Sequence, residues 1–338
     1  MYRKNAWEKY DQTQKEEVFN FAEDYKKFIT FGKTERLVVK ESIEILEKNG
    51  FVNGEAVKSA KAGDKIYFVN KNKNICAFVV GKKPLVEGMR ILGAHIDSPR
   101  LDLKEHPVYE SHGFALADTH YYGGVKKYQW TTIPLALHGV VCKKDGTKVD
   151  VNIGEDKDDP IVGITDLLIH LSADQMQKTL AKAIEGEALD LTLGNMPLNK
   201  EEKEAVKANV LKILEDKYGI EEEDFISAEI EVVPAGEARD YGLDRSMIAG
   251  YGHDDRSCAY TSLRALLDVQ EVENTACCIL VDKEEIGSVG ATGAQSLFFE
   301  NTVAKLANLT GEGHPIYTAR IALENSKMLS SDVSAAFD

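Results

Sequence analysis

Apolar and polar positions along the chain follow two periods. Residues 14–31 carry an amphipathic, helix-like pattern. Residues 34–48 place Leu37, Val38, Ile43, Ile45 and Leu46 in a second helical pattern, with Gly50 positioned as a stop. Short apolar runs then predict strands over 65–69, 75–80, 89–94, 134–141 and 149–153. Between 154 and 226 the character changes: charge runs occupy 155–159, 201–204 and 221–224, and one strong helix is predicted over 200–218, ending at Gly219. A strand over 229–233 precedes Pro234, a helix follows over 257–268, and 277–281 is a continuous apolar run. That last run lacks any polar alternation, the mark of a strand covered on both faces.

The pattern predicts an α/β fold, with a helix-flanked mixed β-sheet as its main domain. The main domain runs over 1–98, is interrupted by a β-rich insertion over 99–239, and resumes over 240–338. No internal repeat or low-complexity segment is present.

Composition narrows the function classes. A net charge of −15 argues against a nucleic-acid partner, since phosphate binding needs clustered Lys and Arg. No stretch approaches the ~20 apolar residues needed to cross a membrane, and residues 1–9 show no apolar leader segment. Cys76, Cys142, Cys258, Cys277 and Cys278 are scattered, odd in number and without Cys-x-x-Cys spacing. They suit buried thiols in a reducing cytoplasm, so a metal here would be held by oxygen and imidazole.

The candidate chemistry sits at predicted strand ends, where open α/β sheets place ligands. Glu284 and Glu285 follow the 277–281 run as adjacent like charges, which a cation or proton must separate. In a metal site one would ligate and the other would handle protons; taken alone, the pair favours a solvated turn, since Glu-Glu is common. His95 and Asp97 follow the 89–94 strand and point the same way along extended backbone, which suits an imidazole ligand and a carboxylate that orients it. Asp254 and Asp255 lie at a loop-to-helix junction, where a carboxylate either caps the helix or bridges two cations. Asp332 adds an acidic position near the end of the chain.

Taken in order, these positions carry a resemblance. The segments Gly93-Ala94-His95-Ile96-Asp97-Ser98-Pro99, Gly252-His253-Asp254-Asp255-Arg256-Ser257-Cys258, Asp282-Lys283-Glu284-Glu285-Ile286-Gly287-Ser288 and Ser330-Ser331-Asp332-Val333 resemble the aspartyl aminopeptidase / vacuolar aminopeptidase I family of zinc metallo-aminopeptidases. Thr119-His120-Tyr121-Tyr122-Gly123-Gly124 and Tyr128-Gln129-Trp130 extend the resemblance over essentially the whole chain.

The resemblance implies two zinc ions per subunit, with cobalt or manganese as substitutes. His95 and Asp332 would bind one ion, Glu285 the other, and Asp254 would bridge them. Asp97 would orient His95, and Glu284 would be the general base acting on a metal-bridging water. His170, within Leu167-Leu168-Ile169-His170-Leu171, resembles a family histidine that enters the active site of a neighbouring subunit. The insertion would mediate dimerisation, the assembly would be a homododecamer built from dimers, the substrates would be peptides, and the location cytoplasmic. His106, His112, His120, His138, His253 and His314 read as structural or surface histidines.

In the resembled family a further histidine ligand comes from a segment later than position 338, which predicts a chain truncated at its C-terminus. Two other readings compete with aminopeptidase: a non-catalytic peptide-binding scaffold on a peptidase fold, and another two-metal hydrolase, of glutamyl or deblocking aminopeptidase or phosphatase type. Filled ligand and base positions weigh against the first, and the combined motifs against the second.

Overall fold

A computed structural model describes residues 4–200 and 203–335. Residues 201–202 of the predicted 200–218 helix and the terminal Phe337 and Asp338 lie outside the described residues. The chain forms two compact units, one from residues up to 98 together with those from 237 onward, the other from Pro99–Gly236.

The first unit opens with helices α1 (Gln12–Phe31) and α2 (Glu35–Lys48). Asp11 and Gln14 cap α1 reciprocally, and the Thr34 hydroxyl accepts the Leu37 amide at the start of α2. Strands β1 (Val52–Asn53), β2 (Lys65–Asn70), β3 (Asn74–Val79) and β4 (Arg90–His95) follow. The second unit then contributes β5 (Arg100–Ser111), β6 (Phe114–Tyr122), β7 (Leu135–Cys142), β8 (Lys148–Ile153), the short α3 (Leu180–Ala183), β9 (Leu191–Gly194), α4 (Ala205–Tyr218) and β10 (Ala228–Pro234). The chain returns to the first unit with β11 (Arg239–Tyr241), β12 (Met247–Ala249), α5 (His253–Asp268), β13 (Ala276–Val281), α6 (Phe298–Thr310), α7 (Pro315–Asn325) and β14 (Lys327–Ser330).

The main sheet of the first unit has strand order β1-β2-β3-β13-β4-β14. β13 runs antiparallel to β3 and parallel to β4, and β14 runs parallel to β4. Its central strands bury both faces. Ile75, Ala77, Val79, Cys278 and Leu280 pack on one side with Phe28, Val38, Leu46, Tyr260 and Leu263 of α1, α2 and α5. Cys76, Phe78, Cys277 and Ile279 pack on the other with Val303, Leu306, Ala319 and Ala322 of α6 and α7. Burial on both faces explains why these runs lack polar alternation.

The second unit is an antiparallel sheet of order β8-β7-β10-β5-β6-β9, with its own core of Leu101, Val108, Leu135, Val141, Leu191, Ile230 and Val232. Its boundary falls after Gly236 rather than after 239. The physical reason is local: the Ala238 amide donates to the Thr30 hydroxyl of α1 at 2.9 Å, and Ala238 packs with the first unit's core.

Helix α5 begins at His253, not at 257, although Asp254 and Asp255 keep non-helical backbone angles within it. Among the described residues no helix is long and apolar enough to cross a membrane.

Phe78 is fully buried at the centre of the main sheet. Phe78→Ala is expected to lower unfolding stability by about 3–5 kcal/mol through lost burial and a residual cavity. A shift in the urea midpoint measures this; a loss below ~1 kcal/mol would mean the core collapses around the gap.

Candidate metal centre

Sheet topology brings the candidate residues together. β13 and β14 flank β4 in parallel, with Val281 opposite His95 and Ser330 opposite Gly93. All three strands therefore end at one edge of the sheet. His95 ends β4, Glu284 and Glu285 follow β13, and Asp332 follows β14. The start of α5 adds Asp254 at the same edge, and α5 itself packs on β4 and β13. Gly252 is required here: its φ is +85°, and a Cβ would stand 2.0 Å from Arg256 Nη1.

Asp97 organises the edge. It is completely buried, and its carboxylate meets His95 Nδ1 at 3.2 Å, while its carbonyl lies 3.0 Å from the same nitrogen. The same carboxylate accepts the backbone amides of Glu284 and Glu285 at 3.1 and 3.2 Å. With Nδ1 committed as donor, the neutral form of His95 would present its Nε2 lone pair outward, the state a metal ligand needs. Nε2 lies 3.2 Å from Asp254 Oδ1 and 3.7 Å from Glu284 Oε2.

Donor atoms of His95, Asp254 and Asp332 lie within 4.8 Å of one another, as do those of His95, Glu284 and Glu285. Imidazole and carboxylate oxygens are a zinc-type donor set. The electrostatics fit a cation as well. Burial disfavours an imidazolium at His95, yet hydrogen bonding and charge from Asp97, with Asp255 and Glu284, raise its pKa to about 9. Burial, then the charge of Asp254, raises the Glu285 carboxyl to about 7, against the lowering pull of His95. Burial likewise lifts Asp255 to about 6, helped by Asp332 and Asp254 and opposed by Cys258 and His95. Negative charge is crowded here beyond what one imidazolium neutralises, and divalent cations remove that repulsion.

Among the supporting residues, Ser98 and Arg256 receive no role from the sequence, and Asp255 only that of an alternative to Asp254. Ser98 Oγ donates to the Asp254 carbonyl at 2.7 Å, and Arg256 Nε to the Ile96 carbonyl at 3.1 Å, tying the end of β4 to the start of α5. Asp255 is fully buried, and its carboxylate oxygens have no hydrogen-bond partner of ordinary geometry. Only the motif spelling around Asp254 and His95 hinted at these positions.

His170 lies in the second unit, exposed on the short turn Ile169–Leu171. His253 accepts the Tyr25 hydroxyl at 2.8 Å and meets the Ile248 carbonyl at 3.1 Å, while His138 pairs with Glu155 at 2.9 Å.

A histidine facing converging carboxylates where three parallel strands end is a donor arrangement that could hold a divalent metal. The model of the aminopeptidase I zinc metalloprotease (M18) family matches residues 28–338. A probable M18 family aminopeptidase 1 of Clostridium acetobutylicum is 56% identical over 99% of this chain and 73% of its own length. The crystal structure of an M18 aminopeptidase from Thermotoga maritima superposes with a TM-score of 0.94 at 46% identity, over 100% of this chain and 74% of that one. The more distant mApe1 dodecamer of S. cerevisiae shares the fold, with a TM-score of 0.72 at 21% identity over 94% of this chain and 72% of that one. The chain belongs to the M18 family of zinc metalloproteases and is a zinc-dependent aminopeptidase.

The shifted groups predict how the zinc-free protein responds to pH. Glu285 and Asp255, raised above their unfolded values of 4.5 and 3.8, cost stability as pH rises through the window up to about 7. His95, raised from 6.5, contributes stability that is lost as pH rises toward about 9. Both signs agree: zinc-free protein should lose stability from pH ~4 to ~9, and zinc should restore it. Urea midpoints with and without chelator test this, and a flat chelated profile would contradict the crowding of charge.

Proposed function

We propose that the protein removes N-terminal residues from peptides through two zinc ions held at the β4–β13–β14 edge. The observation that carries this reading is the meeting of His95, Asp254 and Asp332 donor atoms within 4.8 Å, with Glu285 in a second such group on the same histidine. His95 and Asp332 would hold one ion, Glu285 the other, and Asp254, with two oxygens, both. Asp254 is preferred to Asp255 because its Oδ1 faces His95 Nε2. When bound, the zinc pair supplies a polarised scissile carbonyl and a lowered pKa for the attacking water.

The chain's own groups do the rest. Asp97 keeps His95 in one tautomer and draws the Glu284 and Glu285 amides to the same carboxylate. Glu285 is half-buried, which suits a ligand; Glu284 is more exposed, which suits a group that exchanges protons with substrate. Glu284 takes the proton of the attacking water and returns it to the leaving amine.

Self-association belongs to the same reading. Leu167, Leu168, Ile169, Leu171, Met176 and Leu180 are all exposed in the segment around His170, and exposed apolar side chains gathered in one segment are of the kind that marks contact sites. We read it as the dimerisation surface of a dodecamer, with His170 reaching a neighbouring subunit's active site. Five free cysteines agree with a cytoplasmic location.

A panel of aminoacyl reporter substrates, run with zinc, cobalt and manganese in turn, tests the activity and reads out the preferred N-terminal residue. Cleavage of phosphate esters instead would replace the reading with a phosphatase. Glu284→Gln should keep its metal and lose at least ~10²-fold in turnover; near-normal turnover removes Glu284 as base. Asp254→Asn should weaken both metals together, so full zinc stoichiometry at wild-type affinity counts against bridging. His170→Phe should lower turnover at unchanged zinc content, and wild-type rates in it would end the trans-acting role.

A further inference from the structure

The segment that carries Glu284 and Glu285 leaves β13 at Asp282 and closes back on itself ten residues later through buried groups with no part in the proposed chemistry. Thr292 Oγ1 donates to Asp282 Oδ2 at 2.5 Å, and the Asp282 amide donates to the Thr292 carbonyl at 3.3 Å. Asp282 Oδ1 accepts the Lys283 amide at 2.7 Å. The Asn74 side-chain Nδ2, at the start of β3, donates to the Thr292 carbonyl, and Asn70 Nδ2 donates to the Ala291 carbonyl at 2.9 Å and to Asn74 Oδ1 at 3.1 Å. Asn74, Asp282 and Thr292 are 0%, 1% and 3% exposed.

Burying a carboxylate at a strand end is costly unless its oxygens are satisfied. Here they are satisfied by groups that set the path of the backbone. Lys283 adopts a φ of +68°, a left-handed conformation uncommon for a residue with a side chain. The next two amides after that bend reach Asp97, and the Lys283 amide at the bend donates to Asp282. Within the loop the Ser288 amide donates to the Lys283 carbonyl at 2.6 Å, and the Gln295 amide to the Ser288 carbonyl at 3.2 Å. Gly293 passes so close that a Cβ would stand 2.0 Å from the Ser288 carbonyl oxygen. The loop is therefore closed at Asp282–Thr292 and gripped from outside by the β2–β3 turn.

We infer that Thr292 and Asn74 are positioning residues that act through Asp282 to set where Glu284 and Glu285 stand relative to His95. The inference rests on the roles proposed above for those two glutamates. Thr292 fixes the Asp282 carboxylate; Asp282 fixes the bend at Lys283; the bend fixes the glutamates. Displacements near 1 Å at a reacting group can cost ~10²-fold in rate, so a buried hydroxyl away from the substrate can control turnover.

The test compares Thr292→Val, which keeps the shape and removes the hydroxyl, with Thr292→Ser, which keeps the hydroxyl. Both are made in the full chain and read by cobalt(II) titration, followed by visible absorption, and by reporter hydrolysis. Thr292→Val should fold, show an altered cobalt spectrum with one equivalent bound ~10-fold more weakly, and lose ~10–100-fold in kcat with KM within ~3-fold. Thr292→Ser should return both readouts toward wild type. A wild-type spectrum and kcat in Thr292→Val, or equal impairment in both variants, overturns the inference. If Thr292→Val does not fold, Asn74→Ala decides: it should shift spectrum and kcat in the same direction, and wild-type values for both overturn the inference. If the wild type binds cobalt but cleaves no reporter, the aminopeptidase reading fails, and the cobalt spectra alone decide for or against Thr292.

Discussion

One buried carboxylate, Asp97, receives His95 Nδ1 and the backbone amides of both Glu284 and Glu285. Its oxygens join two strand ends that β-sheet pairing alone brings only to the same edge. β4 and β13 are held in register as far as Val281 and His95, and beyond them no ladder continues. From there on Asp97 substitutes for the sheet, accepting donors that the strands no longer pair. A neutral amide at this position would keep the shape but lose the charge-assisted contacts to those amides and the pull on the imidazole proton.

The edge so formed is electrostatically unbalanced. Asp254, Asp332, Glu284 and Glu285 surround one imidazole, and the raised pKa values of Glu285 and the neighbouring Asp255 report first their burial and then the like charges beside them. A fold that only needed stability would not retain this arrangement, because apolar residues would serve the same space better. The crowding has a use once cations occupy it. The same bookkeeping explains why the supporting contacts, Ser98 to the Asp254 carbonyl and Arg256 to the Ile96 carbonyl, go to backbone rather than to the carboxylates. The acidic oxygens are left available.

Legibility in the sequence followed burial. β3 and β13 are evident because both their faces are covered, so their apolar runs are unbroken. β5 and β6 do not stand out: β5 carries charges, His106 and Pro107, and its pairing with β6 slips between Leu103 and Val108. Helices α6 and α7, which cover one face of the main sheet, are also not singled out by the pattern, and α7 lacks a side-chain cap at its start. At the site, His95, Asp97, Asp254 and the glutamates were visible because each sits in a distinctive local motif. Asp332 says little by itself and is legible only as the last of four motifs in order; the parallel pairing of β14 with β4 is the long-range fact that carries it to the edge where His95 stands. Thr292 and Asn74 were invisible for the same reason, since their partners are far away in sequence.

The interleaved strand order has a consequence for how the chain must be made. β13 lies between β3 and β4, yet it is translated some 180 residues after them, with the whole second unit in between. A nascent chain that has released β1 to β4 holds β3 and β4 without the strand that lies between them, and exposes apolar faces meant for α5, α6 and α7. The second unit, continuous in sequence, can fold while the first still waits. The metal edge can be completed only once β13 has been made and has paired between β3 and β4. That delay makes the young chain, rather than the finished enzyme, the form most in need of protection from its own neighbours.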